Sequence, residues 1–245
     1  MGGYRRPSLP NAVARQLRQA AGFGCARCGH PYIEYHHIIP WSEEQHFRPS
    51  DMVALCGNCH PAVANWARDR QYELKYAPYN ISQGKMQGAL DYDKRTLNFK
   101  VGGTRYEETP TILQFYDTPI IKCRLDEGQA KVSLVILDET FHQVLVIEDN
   151  VIRFRVDDLW DFEYGHRHAV ARRGKGDVIL RMDFRGDEAI IEGRIFLGCD
   201  RVDLSPDRMT MPRGMQVAGG HVRQCAVGIQ IGDPEVALPV RCRLS

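Results

Sequence analysis

Two pairs of cysteines, Cys25-Ala-Arg-Cys28 and Cys56-Gly-Asn-Cys59, share one spacing and stand 27 residues apart in a chain of 245. Two Cys-x2-Cys pairs can supply four thiolates to a single tetrahedral zinc, each pair turning as a tight knuckle with both sulfurs inward. Gly29 and Gly57 sit where such knuckles turn, and ordinary buried cysteines or disulfides leave the repeated spacing unexplained. Any fold of this chain is therefore expected to bring Cys25, Cys28, Cys56 and Cys59 around one structural zinc. The 27 intervening residues exceed the usual finger spacing, so a further substructure is expected between the knuckles.

That insert carries His36-His37-Ile38-Ile39-Pro40 and then a polar loop, and the second cysteine pair closes on His60. From about Phe23 to Trp66 this arrangement resembles the HNH, or ββα-metal, nucleases. The resemblance implies a β-hairpin bearing the adjacent histidines, a loop bearing a residue that is usually asparagine, and a short helix bearing the last histidine. Carried over residue by residue, it implies His36 as a metal ligand, His37 as the general base, Asp51 at the asparagine position and His60 as the second ligand. The chain departs from the family in two places. Asp51 replaces an amide that both donates and accepts with a carboxylate that only accepts, and Ala64 stands where many members place a further histidine.

The chemistry agrees with those roles. Phosphodiester hydrolysis needs a nucleophilic water, charge neutralised on the phosphate and help for the leaving oxygen. Imidazole, with its ordinary pKa near about 6.5, takes a proton from water at neutral pH, and a divalent cation acts as Lewis acid and template for the phosphate. Imidazole ligands suit manganese or nickel while magnesium favours oxygen, so magnesium, manganese and nickel are all expected as cofactors to test. His46, in Gln45-His46-Phe47-Arg48-Pro49, offers either a third ligand or a hydrogen-bonding surface residue. Pro61 suits a first helical turn, and Val63, Trp66 and Ala67 recur on one face. A helix is therefore expected to begin at His60 and to favour a bound phosphate at its start.

Charge distribution points the same way. The net charge is only +1, but residues 1–30 hold Arg5, Arg6, Arg15, Arg18 and Arg27 with no acidic residue. That is the expected footprint of a DNA-backbone surface, or alternatively the solvated face of a helix capped by Asn11 with Val13, Leu17 and Ala20 inward. No run approaches the about eighteen apolar residues of a membrane span, and no signal peptide is evident, so a cytoplasmic protein is expected. On that basis Cys123, Cys199, Cys225 and Cys242 are expected as reduced, buried thiols.

The fold class expected is α+β: a nuclease domain over residues 1–80, a linker over 81–100 and an all-β domain over 101–245. Lys131 to Leu137 and Gln143 to Ile147 read as a hairpin, and Val151 to Val156, Val178 to Phe184 and Ala189 to Leu197 as further strands. A sandwich is preferred, with a short β-helix as the alternative for the glycine-punctuated tail. Trp160 to His168 reads as a strand with aromatics inward, or as a ligand site using His166 and His168, and Arg172 to Gly176 as a phosphate-touching or solvated turn. The tract from Tyr35 to His60 looks like bacterial proteins that join an HNH nuclease to a variable β-rich domain. By that likeness alone the chain is expected to serve restriction or antiphage defence, with the β domain sensing a ligand or partner protein. Two-strand cutting makes a homodimer plausible.

Overall fold

The structure is a computed structural model and describes residues 7–240. Arg5, Arg6 and Cys242 lie outside the described residues. The chain splits into two compact units between Met86 and Gln87, so the α+β class holds.

In the N-terminal unit, helix α1 (Asn11–Ala20) buries Ala14 and Leu17. Asn11 is its first residue, not its cap: Pro10 precedes the helix in extended conformation, and Ala20 is exposed. Strands β1 (Glu34–His37) and β2 (Met52–Leu55) pair antiparallel, His36 opposite Val53 and His37 opposite Met52. Helix α2 (Cys59–Ala64) starts one residue before His60 and stops early. Trp66 and Ala67 thus lie between it and α3 (Arg68–Tyr76), followed by α4 (Tyr79–Gln83). Ile38, Val53, Leu55 and Val63 form the buried cluster with Ala26 and three cysteines, and Ile33, Trp66, Tyr72 and Leu74 pack against it.

The segment expected as a linker is not one. Residues 81–100 hold the strand Lys85–Ala89 and the start of Asn98–Val101, and Leu90, Tyr92 and Phe99 are buried. Tyr92 packs on Phe184 with ring centroids 4.5 Å apart. The isolated apolar residues of a charged stretch are what anchor it.

The second unit contains a seven-stranded and a ten-stranded sheet. In the first, the strands Thr111–Phe115, Thr118–Asp126, Gln129–Leu137, Gln143–Glu148 and Val151–Arg155 follow one another as an antiparallel meander. In the second, strands from Asp161–Gly165 through Ala189–Leu197 to Gln216–Ala218 do the same. The tail then returns a strand to each: His221–Arg223 runs parallel to Thr104–Glu107, and Val227–Ile231 parallel to Thr111–Phe115. Antiparallel neighbours in sequence order are the opposite of stacked parallel rungs, so the β-helix alternative is excluded. The sheets meet through Phe154 and Phe162, ring centroids 5.0 Å apart, and each such buried side chain stabilises by about 1.5–3 kcal/mol. No helix among the described residues is long and apolar enough to cross a membrane.

Candidate metal centres of the N-terminal unit

The sulfurs of Cys25, Cys28, Cys56 and Cys59 all lie within 4.8 Å of one another. Cys28 Sγ is 3.7 Å from both Cys56 Sγ and Cys59 Sγ. Four thiolates at about 2.3 Å from a tetrahedral zinc stand about 3.8 Å apart, so the cluster fits that ion. Burial pushes the thiols of Cys28 and Cys59 up, and the charge of a bound cation is what ionises such thiols. In the first knuckle Gly29 N–H donates to Cys25 C=O at 2.8 Å. Gly29 has φ +78°, and a Cβ there would strike Asn80 and Tyr79, so glycine is required. Gly57 is different, since a Cβ would meet only Glu34 Oε1 at 3.9 Å. The second knuckle turns instead through Cys59 N–H and His60 N–H, both donating to Cys56 C=O.

Asn80 locks this arrangement. It is buried, and its Nδ2 donates to Gly22 C=O at 2.9 Å and Gly29 C=O at 3.3 Å. Nothing in its sequence neighbourhood announces that role, because the partners lie more than fifty residues away.

The histidines divide by strand alternation, which sends successive side chains to opposite faces. His36 meets His60, the Nδ1 of the first 3.0 Å from the Nε2 of the second. Their outer nitrogens are held from both ends. Gln71 Oε1 accepts from His36 Nε2–H at 2.8 Å, and the amide is oriented by its own Nε2–H donating to Trp66 C=O at 2.9 Å. Glu34 Oε2 accepts from His60 Nδ1–H at 2.8 Å. With both outer nitrogens donating outward, a neutral pair would turn its two inner lone pairs toward each other, and a cation between them would satisfy both. Burial, with a further push from His60 and against Gln71, lowers the His36 imidazole below its ordinary range, favouring the neutral form that ligates metal. Two nitrogens at about 2.1 Å and a right angle stand about 3.0 Å apart, against about 3.4 Å for a tetrahedral angle. The 3.0 Å separation of the pair is one that a shared divalent cation would span.

His37 faces the other way. It is 8% exposed and packs against Trp41, His46 and Phe47. Its Nε2–H donates to His46 C=O at 2.9 Å, which makes Nδ1 the nitrogen carrying the lone pair. His36 and His60 thus contact each other, while the ring neighbours of His37 are Trp41, His46 and Phe47. His46 is neither surface residue nor third ligand. It is buried, its Nε2 reaches Ile39 C=O at 3.2 Å and its Nδ1 accepts from Arg48 N–H at 3.2 Å.

Asp51 braces the loop, and its bonds go to no histidine. Its carboxylate accepts from Arg48 Nε at 2.7 Å and from Tyr72 hydroxyl at 2.9 Å, and its C=O accepts from Ile38 N–H at 2.9 Å. Arg48 foremost, with Tyr72, holds the carboxyl below the usual range. Lys75 Nζ donates to Pro49 and Met52 carbonyls at 2.6 and 2.8 Å, fixing the same turn.

The arginines are placed unevenly. Arg18 donates to Tyr35 hydroxyl at 3.1 Å and is half-buried, as is Arg15. Arg27 is exposed and stands 5.2 Å from the Trp66 ring centroid, with Arg70 at 3.8 Å. Arg70 was not singled out by sequence, although its position after the histidine helix was visible there.

The candidate sites of the β unit come apart. His166 faces Asp91 at 3.1 Å, while His168 opens the next strand of the hairpin beyond a turn. Arg172 pairs with Glu163 at 2.8 Å and buried Asp161 at 3.2 Å, inside a strand and not on a phosphate loop. Cys123 is buried as expected, but Cys199 and Cys225 are exposed.

Comparison with curated proteins gives no match, and comparison with solved structures gives none. Residues 25–65, a span running from the first knuckle past the His60 helix, match the family model of the HNH endonuclease.

Proposed function

We propose that this protein is a metal-dependent endonuclease that hydrolyses DNA phosphodiester bonds, with zinc in the four-cysteine site and a divalent cation such as manganese, nickel or magnesium on His36 and His60. The observation that carries this is the facing of His36 Nδ1 and His60 Nε2 at 3.0 Å, each ring held from behind by a hydrogen-bond acceptor. When bound, that cation would neutralise charge on the phosphate and the leaving 3′-oxygen. His37 serves as the base, and its bond to the His46 carbonyl supports this by fixing the tautomer in which Nδ1 takes the proton. Asp51 holds the loop behind the hairpin through Arg48 and Tyr72. The arginines of the first thirty residues, Arg27 among them beside Trp66 with Arg70, support nucleic acid as the substrate by supplying positive charge for its backbone.

The test is incubation of supercoiled plasmid with the zinc-loaded chain and magnesium, manganese or nickel, beside His36→Ala and His37→Ala. Nicked or linear product is expected from the wild type, with a loss of about 10²–10⁴-fold in His37→Ala. Silence with every metal, or equal cutting by His37→Ala, overturns the catalytic assignment.

A second reading, a zinc-stabilised nucleic-acid binder without turnover, is favoured by the burial of His37 on the opposite face of the hairpin. It predicts that the plasmid is retarded but left intact. Service in restriction or antiphage defence, with the β unit as sensor or targeting element, rests on the two-unit organisation. Phage plating on cells expressing wild type or His36→Ala tests it, and equal plating removes it.

A further inference from the structure

We infer that Glu34 and Gln71 are positioning residues that set complementary tautomers on His36 and His60, so that the two rings present one bidentate site to a divalent cation; the inference rests on the cation reading above. Neither residue belongs to the histidine motif. Glu34 lies two positions before His36, so the two share the face of β1 that His60 approaches. Gln71 comes from α3, 35 residues beyond His36 in sequence, and is 4% exposed.

An imidazole can ligate through either nitrogen, and the hydrogen bond made by the other decides which. Here the two outer acceptors choose opposite nitrogens. Gln71 claims Nε2–H of His36 and leaves Nδ1 inward, while Glu34 claims Nδ1–H of His60 and leaves Nε2 inward. Swapping either tautomer would point an N–H at the cation and remove a ligand. The amide cannot flip its nitrogen toward His36 without turning Oε1 onto Trp66 C=O, where two acceptors would meet. The carboxylate of Glu34 adds a negative charge behind His60, which would offset part of the cation's charge. It does not belong to a three-ligand cluster: among the described residues the four cysteines alone place three or more such ligand atoms within 4.8 Å. It acts through His60.

The experiment uses the full chain carrying one zinc, titrated with Mn²⁺ while free Mn²⁺ is counted by electron paramagnetic resonance. Wild type is expected to bind one Mn²⁺ that His36→Ala does not bind. Glu34→Ala is expected to weaken that site by about 10- to 100-fold. Glu34→Gln, which keeps an acceptor oxygen and loses the charge, should fall between them. Glu34 is half exposed, so these variants are expected to keep their zinc and melting temperature, which separates positioning from a folding defect. Gln71→Leu should weaken Mn²⁺ similarly, with zinc content as the check on its buried position. Unchanged Mn²⁺ affinity in both Glu34 variants, alongside loss in His36→Ala, overturns the positioning role and leaves the cation reading standing. No Mn²⁺ bound by the wild type removes the cation reading and this inference with it.

Discussion

Three of the eight buried residues that form the N-terminal cluster are cysteines of the four-thiol site. The β unit instead buries whole faces of two sheets, with Phe99, Phe115, Phe154, Phe162 and Phe184 all nearly inaccessible. The first unit is small for a self-sufficient apolar core, and its four-thiol cluster occupies part of that interior. The second closes on hydrocarbon. The difference shows where chemistry can sit. A scaffold tied by a central ion can leave strand ends and short helices free to present polar side chains, and Glu34, His36 and His60 stand there. In the β unit the charged side chains pair with one another, as Arg172 does with Asp161 and Glu163.

The largest effect that sharpens this contrast is removal of the thiolate-bound ion. Structural zinc sites contribute apparent free energies of about 10–16 kcal/mol, so a strong chelator, or Cys56→Ser, should abolish amide-exchange protection over residues 7–86 while the β strands keep theirs. Equal loss in both units, or in neither, breaks the comparison. The reciprocal probe is Phe154→Ala, expected to cost about 3–5 kcal/mol in the β unit and to leave zinc content unchanged, as read by denaturant unfolding and metal analysis.

Next comes Asn80→Ala, which strips the donor from Gly22 and Gly29 carbonyls. A cost of about 1–3 kcal/mol is expected, with faster zinc release to a chelator because the first knuckle loses its clamp. Release at the wild-type rate would show that the sulfurs alone hold the knuckle. Arg70→Ala probes the proposed surface, and weaker DNA retention with a salt slope reduced by about one is expected. The smallest effect belongs to Asp51→Asn. The carboxyl is depressed in the folded chain by Arg48, so its contribution is present above the unfolded value of about 3.9 and is lost as pH falls through the lower folded value. Arg48 is 45% exposed in that pair, so the change at neutral pH should be below about 1 kcal/mol. Melting curves against pH should show the wild-type advantage vanish in acid.

What could be read from the amino-acid order depended on how local each feature is. The cysteine knuckles were legible because four residues define each one, and the strands from Gln129 to Arg155 because apolar runs and turns alternate within a few positions. Gly57 was over-read, since its backbone needs no left-handed turn. The stretch 81–100 reads as a linker by charge, yet Tyr92 and Phe99 fill spaces created by residues such as Phe184 far along the chain. The same distance hid Gln71 and Asn80, whose partners are set by tertiary packing. Glu34 was within reach: alternation along β1 puts it on the face of His36 and sends His37 to the other. That simple parity also explains why the adjacent histidines have different ring neighbours.

The shortest route to the heart of this picture is a crystal of the zinc-loaded chain soaked in Mn²⁺ and measured for anomalous scattering. A single Mn²⁺ peak about 2.2 Å from both His36 Nδ1 and His60 Nε2, with Glu34 and Gln71 still behind the rings, is the expected result. A peak elsewhere, or none in the presence of saturating Mn²⁺, would contradict it.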